Sequence, residues 1–268
     1  IPEAVRVIDE CAFEDCPSLQ KIEVADDNPV YDSRQGCNAI IETLTDKLIL
    51  GCQSTVIPDT VKIIGEAAFK SSLISNIAIP ASVTDINDDA FQYCNLLENI
   101  TIPESVKRIG RQAFWACRSL KSVTIADSVS EIGEECFAGC PLQNVTLPKS
   151  LTTISDKLFR SSSVSTVVIP DSVTEINEGA FENCTKLQSV VFPESLTLIG
   201  EDDLNFYFYC DCEQSVSFDK EYFKTHNLNN CGKTCKINKF SSRHTDREFI
   251  GQIYNNFRVL SILQRRTF

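Results

Sequence analysis

The chain repeats one short pattern of apolar residues at a nearly constant interval, and this repeat constrains the fold more than any other feature. An Ile-Pro dipeptide or a close variant recurs every 22 or 23 residues. The dipeptides are Ile57-Pro58, Ile79-Pro80, Ile102-Pro103, Ile125-Ala126, Leu147-Pro148, Ile169-Pro170 and Phe192-Pro193. A Phe keeps the same phase, at Phe69, Phe91, Phe114, Phe137, Phe159 and Phe181, and an earlier copy starts at Ile1-Pro2. A period of this length indicates stacked repeat units.

Each unit contains the signals of short extended segments separated by turns. Val123 and Ile125 alternate with a polar residue, as in a strand that is buried on one face. Val106 and Ile109 indicate a second extended segment, and the residues around Phe114 fit a short helical turn. A single unit cannot bury its own apolar residues, so neighbouring units must stack into a continuous core. The expected fold is a β-rich solenoid.

The consensus I-P-x-S-V-x-x-I-G-x-x-A-F-x-x-C resembles the leucine-rich repeats of the BspA type. The resemblance extends over residues 1–209, about three quarters of the chain. It implies a leucine-rich repeat horseshoe of about eight units, as in surface and adhesin-like proteins of host-associated bacteria and some protist parasites. It does not imply catalysis. Leu204 replaces the repeat Phe, so the last unit is expected to be an end cap.

Two segments interrupt or follow the repeats. Residues 26–56 contain an insertion, because the interval from Val24 to Ile57 is ten residues longer than a unit. Two apolar segments around Thr43-Leu44-Thr45-Asp46 predict a β-hairpin there. Residues 210–268 form a non-repeat cap that contains Cys residues and a predicted amphipathic helix. That helix would cover the open end of the solenoid, or alternatively dock on another chain or a membrane surface.

Eleven of the 13 cysteines fall into three groups with different expected roles. A hairpin register that is symmetric about Leu44 and Thr45 would place Cys37 opposite Cys52, so the pair is either a disulfide or two buried thiols. Five Cys share one slot of the repeat and predict a buried column: Cys16, Cys94, Cys117, Cys140 and Cys184. Four in the cap are expected to form disulfides or remain thiols, and a zinc site with His226 is the alternative: Cys210, Cys212, Cys231 and Cys235.

Composition and motifs exclude several classes of function. The net charge of -12, from 37 acidic and 25 basic residues, disfavours a nucleic-acid partner. No apolar run is long enough for a transmembrane segment. The chain has 2 His, both beyond the repeats, and Gly232-Lys233-Thr234 lacks the remaining residues of a phosphate-binding loop. We therefore expect no enzyme and no cofactor. Acidic residues at the turns predict either solvated corners or a cation-binding row.

The outward side chains of the strand in each unit form the candidate binding face. They are mostly small and neutral and can donate and accept hydrogen bonds. The candidate residues are Asn76, Asn99, Thr101, Ser122, Thr124, Asn144, Thr146, Thr166 and Ser189. The function expected from this face is adhesion-type recognition of a protein or glycan, including one from a host, by a surface or secreted protein. The alternative is a structural spacer within a longer surface protein.

Overall fold

The computed structural model describes residues 1–9, 12–13 and 16–199 of the 268-residue chain. Within these residues the chain is a solenoid of short, mostly parallel strands joined by turns. The strands are β1 (Tyr31–Asp32), β2 (Ala39–Glu42), β3 (Lys47–Gly51), β4 (Ile63–Ile64), β5 (Asp85–Ile86), β6 (Asn99–Ile102), β7 (Arg108–Ile109), β8 (Ser122–Ile125), β9 (Glu131–Ile132), β10 (Asn144–Val145), β11 (Thr153–Ile154), β12 (Thr166–Val168), β13 (Glu175–Ile176), β14 (Ser189–Val191) and β15 (Leu198–Ile199). A short 3-10 helix, Arg34–Gly36, precedes β2.

The strands form three sheets that follow the repeat. A five-stranded sheet has the order β14-β12-β10-β8-β6 and is entirely parallel. A seven-stranded sheet has the order β1-β2-β3-β4-β5-β7-β9. A third sheet consists of β11, β13 and β15, which have the same position in the repeat as β4, β5, β7 and β9. The predicted strand at Val123 and Ile125 is β8, and the predicted extended segment at Ile109 is β7, so both are confirmed. The strands of the five-stranded sheet are short partly because a Pro follows most of them and cannot continue a ladder.

The repeat Phe residues stack into one continuous column inside the solenoid. Adjacent ring centroids lie 5.1 to 6.0 Å apart from Phe69 to Phe181, and the planes of neighbouring rings are tilted by no more than 15°. The backbone N–H of Phe114 donates to the carbonyl of Cys136 in the next unit, at 3.0 Å. This main-chain bond and its equivalents in other units link successive units at the segments that contain the repeat Phe. The five-stranded sheet links successive units at a different segment of the repeat.

The predicted helical turn around Phe114 is wrong, because the segment is a series of tight turns. Gln112 and Ala116 have left-handed backbone conformations, with φ values of 52° and 53°. An α-helix does not accommodate such residues. The N–H groups of Gln112, Phe114 and Ala116 point to carbonyls of the next unit instead of along a helix. Stacking between units therefore replaces local helical bonding.

The insertion forms the predicted hairpin, with β2 and β3 paired antiparallel. Both faces of this hairpin are covered by apolar side chains. Ala39, Ile41 and Leu48 belong to the large core that contains the Phe column. Ile40 and Cys52 belong to a second, smaller core together with apolar residues of the first repeat copy. The hairpin therefore separates the first copy from the stack.

A shift in strand register decides the state of Cys37 and Cys52. Ile41 pairs with Leu48, but Ile40 pairs with Leu50, so the register slips by one residue between them. A slip of one residue turns the side chains that follow it to the opposite face. Cys37 lies in the large core and Cys52 in the small one, and both are free thiols. The symmetric register holds for Ile41 and Glu42 but not beyond the slip, and the structure has the alternative of two buried thiols.

Several predictions fall on residues 200–268 and lie outside the described residues. These are the unit that contains Leu204, the boundary at residue 209, the cap with its four Cys, and the amphipathic helix. Across the part of the chain that the structure describes, no helix has the length and apolar character needed to cross a membrane.

Candidate functional site

The candidate face is the outer side of the five-stranded sheet, which we call the outer sheet face. Exposed and buried residues alternate along β6 and β8, so every second side chain points outward. Strand pairing places Asn99, Ser122, Asn144, Thr166 and Ser189 side by side in one row. Thr101 and Thr124 pair in a second row, which continues at Val168 and Val191. Neighbouring strands are about 4.8 Å apart, so these rows form a regular grid.

The structure brings most of the predicted face residues together. The exposed members are Asn99, Thr101, Ser122, Thr124, Asn144, Thr146 and Thr166. Thr146 directly follows β10. The backbone pairing of β14 with β12 places Ser189 in the row beside Thr166. Asn76 is exposed but belongs to no strand, so it lies beyond the edge strand β6. The sequence period alone did not show that the sheet begins only at β6.

Serine and threonine hydroxyls elsewhere in the repeats are used to hold the solenoid together. Ser128 donates to the carbonyl of Val106 at 3.1 Å, and Ser172 donates to the carbonyl of Leu151 at 2.6 Å. Both bonds join one unit to the preceding one. By contrast, the seven exposed polar side chains of the outer sheet face make no hydrogen bond to any described residue. Their donors and acceptors face solvent.

The outer sheet face is uncharged, and its charged neighbours are paired. None of its five strands contains a charged residue. On one flank Lys121 contacts Glu98 at 3.7 Å, and on the other Lys149 contacts Asp127 at 2.6 Å. A hydrogen bond from Lys149 lowers the pKa of Asp127, and the same bond raises the pKa of Lys149. Paired charges at the flanks leave hydrogen bonding and shape as the main means of recognition on this face.

The seven-stranded sheet presents a different, charged outer row that sequence reasoning missed. Strand pairing aligns Asp85, Arg108 and Glu131. Arg108 contacts Glu131 at 3.1 Å and Asp88 at 3.4 Å. Each of these charged residues directly precedes an inward-pointing Ile, and successive side chains of a strand point to opposite faces. This position in the repeat was the sequence signal that could have predicted the charged row.

Several acidic residues at the turns pair with basic residues of neighbouring units. The contacts are Lys70–Asp89 at 3.8 Å, Arg111–Glu134 at 3.9 Å, Lys157–Glu134 at 4.0 Å, Arg160–Glu135 at 3.6 Å and Arg160–Glu182 at 3.1 Å. No group of His, Cys, Asp or Glu among the described residues is arranged to hold a metal ion. The acidic residues in these contacts therefore form ion pairs between neighbouring units.

The cysteine column is structural for four of its five predicted members. The thiols of Cys94, Cys117 and Cys140 donate to carbonyls one unit earlier, at 3.0, 3.1 and 3.0 Å, and Cys184 does so at 2.9 Å. Burial raises the pKa of Cys94, Cys140 and Cys184, so the reactive thiolate is disfavoured. Cys16 is exposed, which corrects the prediction for that position.

The parallel sheets, the Phe column and the Cys column all repeat with one phase. The chain matches the family model described as BspA type leucine rich repeat region, in 6 copies, over residues 1–35, 49–164 and 107–235. The chain belongs to this family. Its membership accounts for most of the repeat sequence, and the expected resemblance is confirmed. No curated protein matches this BspA-type chain significantly.

Solved structures of bacterial leucine-rich repeat proteins are similar to this BspA-type chain. A leucine-rich repeat protein from Eubacterium ventriosum has a TM-score of 0.64 at 24% identity, and the match covers 81% of this chain and 61% of that protein. A leucine rich repeat protein from T. pallidum has a TM-score of 0.43 at 25% identity, with 67% and 82% covered. A leucine rich cell surface protein from Faecalibacterium prausnitzii has a TM-score of 0.40 at 27% identity, with 74% and 55% covered. The first of these supports the fold, and the chain spans 61% of its length.

Proposed function

We propose that the chain is a non-catalytic recognition module that binds a protein or glycan partner through the outer sheet face. The observation that carries the proposal is the contrast between two sets of polar side chains. Hydroxyls such as those of Ser128 and Ser172 are consumed by bonds between units. The seven exposed Asn, Ser and Thr side chains of the outer sheet face have no partner among the described residues.

The arrangement suits a neutral ligand that is rich in hydrogen-bonding groups. Each Asn amide offers both donors and acceptors, and each hydroxyl offers one donor and two lone pairs. The rows repeat about every 4.8 Å and so can contact an extended peptide or a sugar chain at several points. Solenoids use extended surfaces of this kind for binding. Because the face lacks charge, its affinity is expected to depend little on salt.

The proposal also places the protein at the cell surface or outside the cell, where adhesion-type recognition takes place. The family supports this location, since the resemblance of the repeats is to surface and adhesin-like proteins. A spacer role within a longer surface protein would need no free binding groups on the sheet. The exposed, unpartnered Asn and Thr rows therefore favour recognition over a spacer.

The test is a binding screen of the purified chain against extracellular-matrix proteins and an array of neutral glycans. The variant N99R/N144R places two bulky charged side chains in the first row. The control S130R/T152R adds the same charge at exposed positions one residue before β9 and β11, away from the face. We expect a saturable ligand whose affinity falls at least about tenfold in N99R/N144R, a loss of about 1.4 kcal/mol, and is retained in the control.

Two outcomes would contradict the proposal. If a saturable ligand binds N99R/N144R and the wild type equally well, the ligand does not use this face. If the screen finds no saturable ligand among matrix proteins and glycans, the spacer role is favoured. Circular dichroism and thermal melting of both variants establish that each is folded, so a loss of binding is not a loss of structure.

A further inference from the structure

Two aromatic side chains of neighbouring units meet at the segments that join the two kinds of strand. Tyr93 lies between β5 and β6, and Trp115 lies between β7 and β8. Their ring centroids are 4.8 Å apart and the ring planes are inclined by 69°, so the two rings form a corner. Both side chains are half-buried, so part of each ring is accessible to solvent. We call this pair the aromatic corner.

Each ring of the aromatic corner carries a polar group that the fold does not use. The indole N–H of Trp115 and the hydroxyl of Tyr93 make no hydrogen bond to any described residue. Within the part of the chain that the structure describes, the buried polar side-chain atoms without a partner are the hydroxyls of Ser72, Ser82 and Ser105. The two aromatic polar groups therefore reach solvent. An apolar ring with an accessible polar end is typical of Tyr and Trp at binding surfaces.

The backbone at Tyr93 is strained, with a left-handed φ of 59°. A bulky residue in this conformation is an outlier. The equivalent positions of other units have left-handed backbones too, but they carry smaller residues, namely Ser71, Ala116, Gly139, Ser161 and Asn183. The Tyr ring is therefore present at a cost in stability, and strain of this kind is concentrated at functional sites.

The next unit does not cover the aromatic corner with a large side chain. Ala138 has the position equivalent to Trp115, and it contributes only a methyl group. Gly139 follows without a side chain, in a left-handed conformation with a φ of 71°. The next large side chain at the position of Trp115 is that of Arg160, two units further along the stack. This spacing leaves room beside the indole for a ring of a ligand.

A chain of polar side chains borders the aromatic corner. Gln92 donates to Asp89 at 3.0 Å and to Gln112 at 3.1 Å. Gln112 donates to Glu135, which contacts Arg160 at 3.6 Å. Amide, carboxylate and guanidinium groups retain further donors and lone pairs after these contacts. Because the charges are paired with one another, this border favours a neutral ligand with several hydrogen-bonding groups.

We propose that the aromatic corner is a binding site for a neutral sugar ring. One face of a pyranose carries C–H groups that pack on an aromatic ring, and its rim carries hydroxyls that need hydrogen-bond partners. The corner offers flat rings, unpartnered N–H and O–H groups at their edges, and amides and carboxylates beside them. The net charge of -12 disfavours a nucleic-acid base as the stacking ligand.

A proline-rich peptide is the other ligand that packs on aromatic rings. Its prolines lack N–H groups, so it offers mainly carbonyl acceptors and cannot donate to the carboxylate of Glu135. A sugar hydroxyl both donates and accepts, and it therefore suits the polar border better. The aromatic corner includes no residue of the outer sheet face, so the inference stands apart from the proposed function.

Trp115 is the single Trp of the chain, so tryptophan fluorescence reports on this site alone. The full chain is titrated with neutral oligosaccharides of glucose, galactose, mannose and N-acetylglucosamine, and with decaproline as the peptide probe. Each is added to about 10 mM, because the weakest dissociation constant that we expect is about 1 mM. We expect at least one sugar to change the emission in a saturable way and to protect the indole from quenching by acrylamide.

The variant Y93S removes one ring and keeps the fluorescent reporter. Ser71 and Ser161 have the same backbone conformation, so Y93S should fold, with a melting temperature equal to or above that of the wild type. Its affinity for the sugar should fall at least about tenfold. Y93F keeps the ring without the hydroxyl, and its affinity should lie between those of Y93S and the wild type. The control N99R/N144R should bind as the wild type does.

Three outcomes would overturn the proposal. The first is that no oligosaccharide changes the emission, including the case in which decaproline does and the corner binds peptides. The second is that Y93S binds the sugar as tightly as the wild type, because the ring pair would then serve only the fold. The third is an equal loss of affinity in N99R/N144R, which would place the sugar on the outer sheet face. Circular dichroism establishes that each variant is folded.

Discussion

The first repeat copy and the unit of residues 102–125 have the same consensus but very different burial. Val106, Ile109, Phe114 and Leu120 are all 0% exposed. Their counterparts 101 residues earlier, Val5, Ile8, Phe13 and Leu19, are only partly buried. The sequences are similar, so the difference arises from the neighbours. The ring of Phe114 packs between those of two neighbouring units, whereas the first copy packs on the hairpin. In a solenoid, stacking rather than the consensus decides how much each apolar residue stabilises the fold.

The largest expected effect is the loss of a ring from the column. F114A removes a fully buried side chain that stacks on Phe91 and Phe137, and it should lower the free energy of unfolding by about 3–5 kcal/mol. F13A, at the matched position of the first copy, should cost about 1 kcal/mol or less, because that ring is partly exposed. Urea unfolding followed by circular dichroism measures both. Equal losses would show that the first copy is packed as tightly as the stack.

The next effect concerns the contact between the hairpin and the column. A Cβ added to Gly51 would lie 2.0 Å from a ring carbon of Phe69, so the ring would have to move. G51A should destabilise the chain by about 1–3 kcal/mol. The control is G36A, because Gly36 has a φ of +63° but nothing within 4 Å of the added atom. It should cost about 1 kcal/mol through backbone strain alone. If G51A has no effect, the hairpin does not close the end of the Phe column.

A smaller effect is expected in the cysteine column. C117S replaces a thiol that reaches the carbonyl of Phe91 at 3.1 Å with a shorter hydroxyl. Ser72 occupies the same slot in another unit, and its buried hydroxyl has no partner among the described residues. The substitution should cost about 1–2 kcal/mol, the penalty for an unsatisfied buried polar group. C16S should leave stability unchanged because Cys16 is exposed. A loss in C16S comparable to that in C117S would contradict the difference between the two regions.

The smallest losses of stability should come from the removal of ion pairs. The loss should be larger for an ion pair of the hairpin than for one of the stack. Arg34 contacts Asp32 at 2.6 Å and Asp46 at 2.7 Å, and all three side chains are largely covered. Burial raises the pKa of Asp32, but hydrogen bonds from Arg34 outweigh this and hold the pKa below its ordinary value. D32N should cost about 1 kcal/mol at pH 7. D127N removes an exposed partner of Lys149 and should leave the melting temperature unchanged.

The lowered pKa of Asp32 also sets the pH dependence. A carboxyl with a lower pKa in the folded chain stabilises the fold fully above the ordinary Asp value of 3.8 and loses this contribution as the pH falls through the folded value. The stability difference between the wild type and D32N should therefore be constant from pH 5 to 8 and shrink below about pH 4. A difference that grows on acidification would contradict the assigned pairing with Arg34.

Much of this architecture could be predicted from the sequence, because a constant period places equivalent residues in line. The Phe column, the inward Ile of β7 and the outward Asn99 and Thr101 all follow from the phase of the repeat. The hairpin followed from the extra ten residues between Val24 and Ile57. These features depend on one unit being like the next.

The features that were not predicted depend on differences between units. The register slip between Ile40 and Ile41 is local to the hairpin, and it alone moved Cys52 to the opposite face from Cys37. Cys16 is exposed although it has the same position in the repeat as the buried Cys94 and Cys117. Arg160 pairs with Glu135 of the preceding unit and with Glu182 of the following unit. These contacts depend on how three successive units stack, which the sequence of a single unit does not show. Of the candidate face, Asn76 lies beyond the sheet, because the parallel pairing starts at β6, and Thr146 directly follows β10.

The most direct test is native-state hydrogen exchange resolved by residue, because the central claim is that main-chain bonds join the stack whereas side chains hold the first copy. The N–H groups of Phe91 and Phe114 donate to carbonyls of the next unit, and those of Ile8 and Ile22 donate to side chains. We predict that the first pair exchanges only through global unfolding, while the second pair exchanges at least about 100-fold faster through local opening. Equal opening free energies for the two pairs would contradict the account.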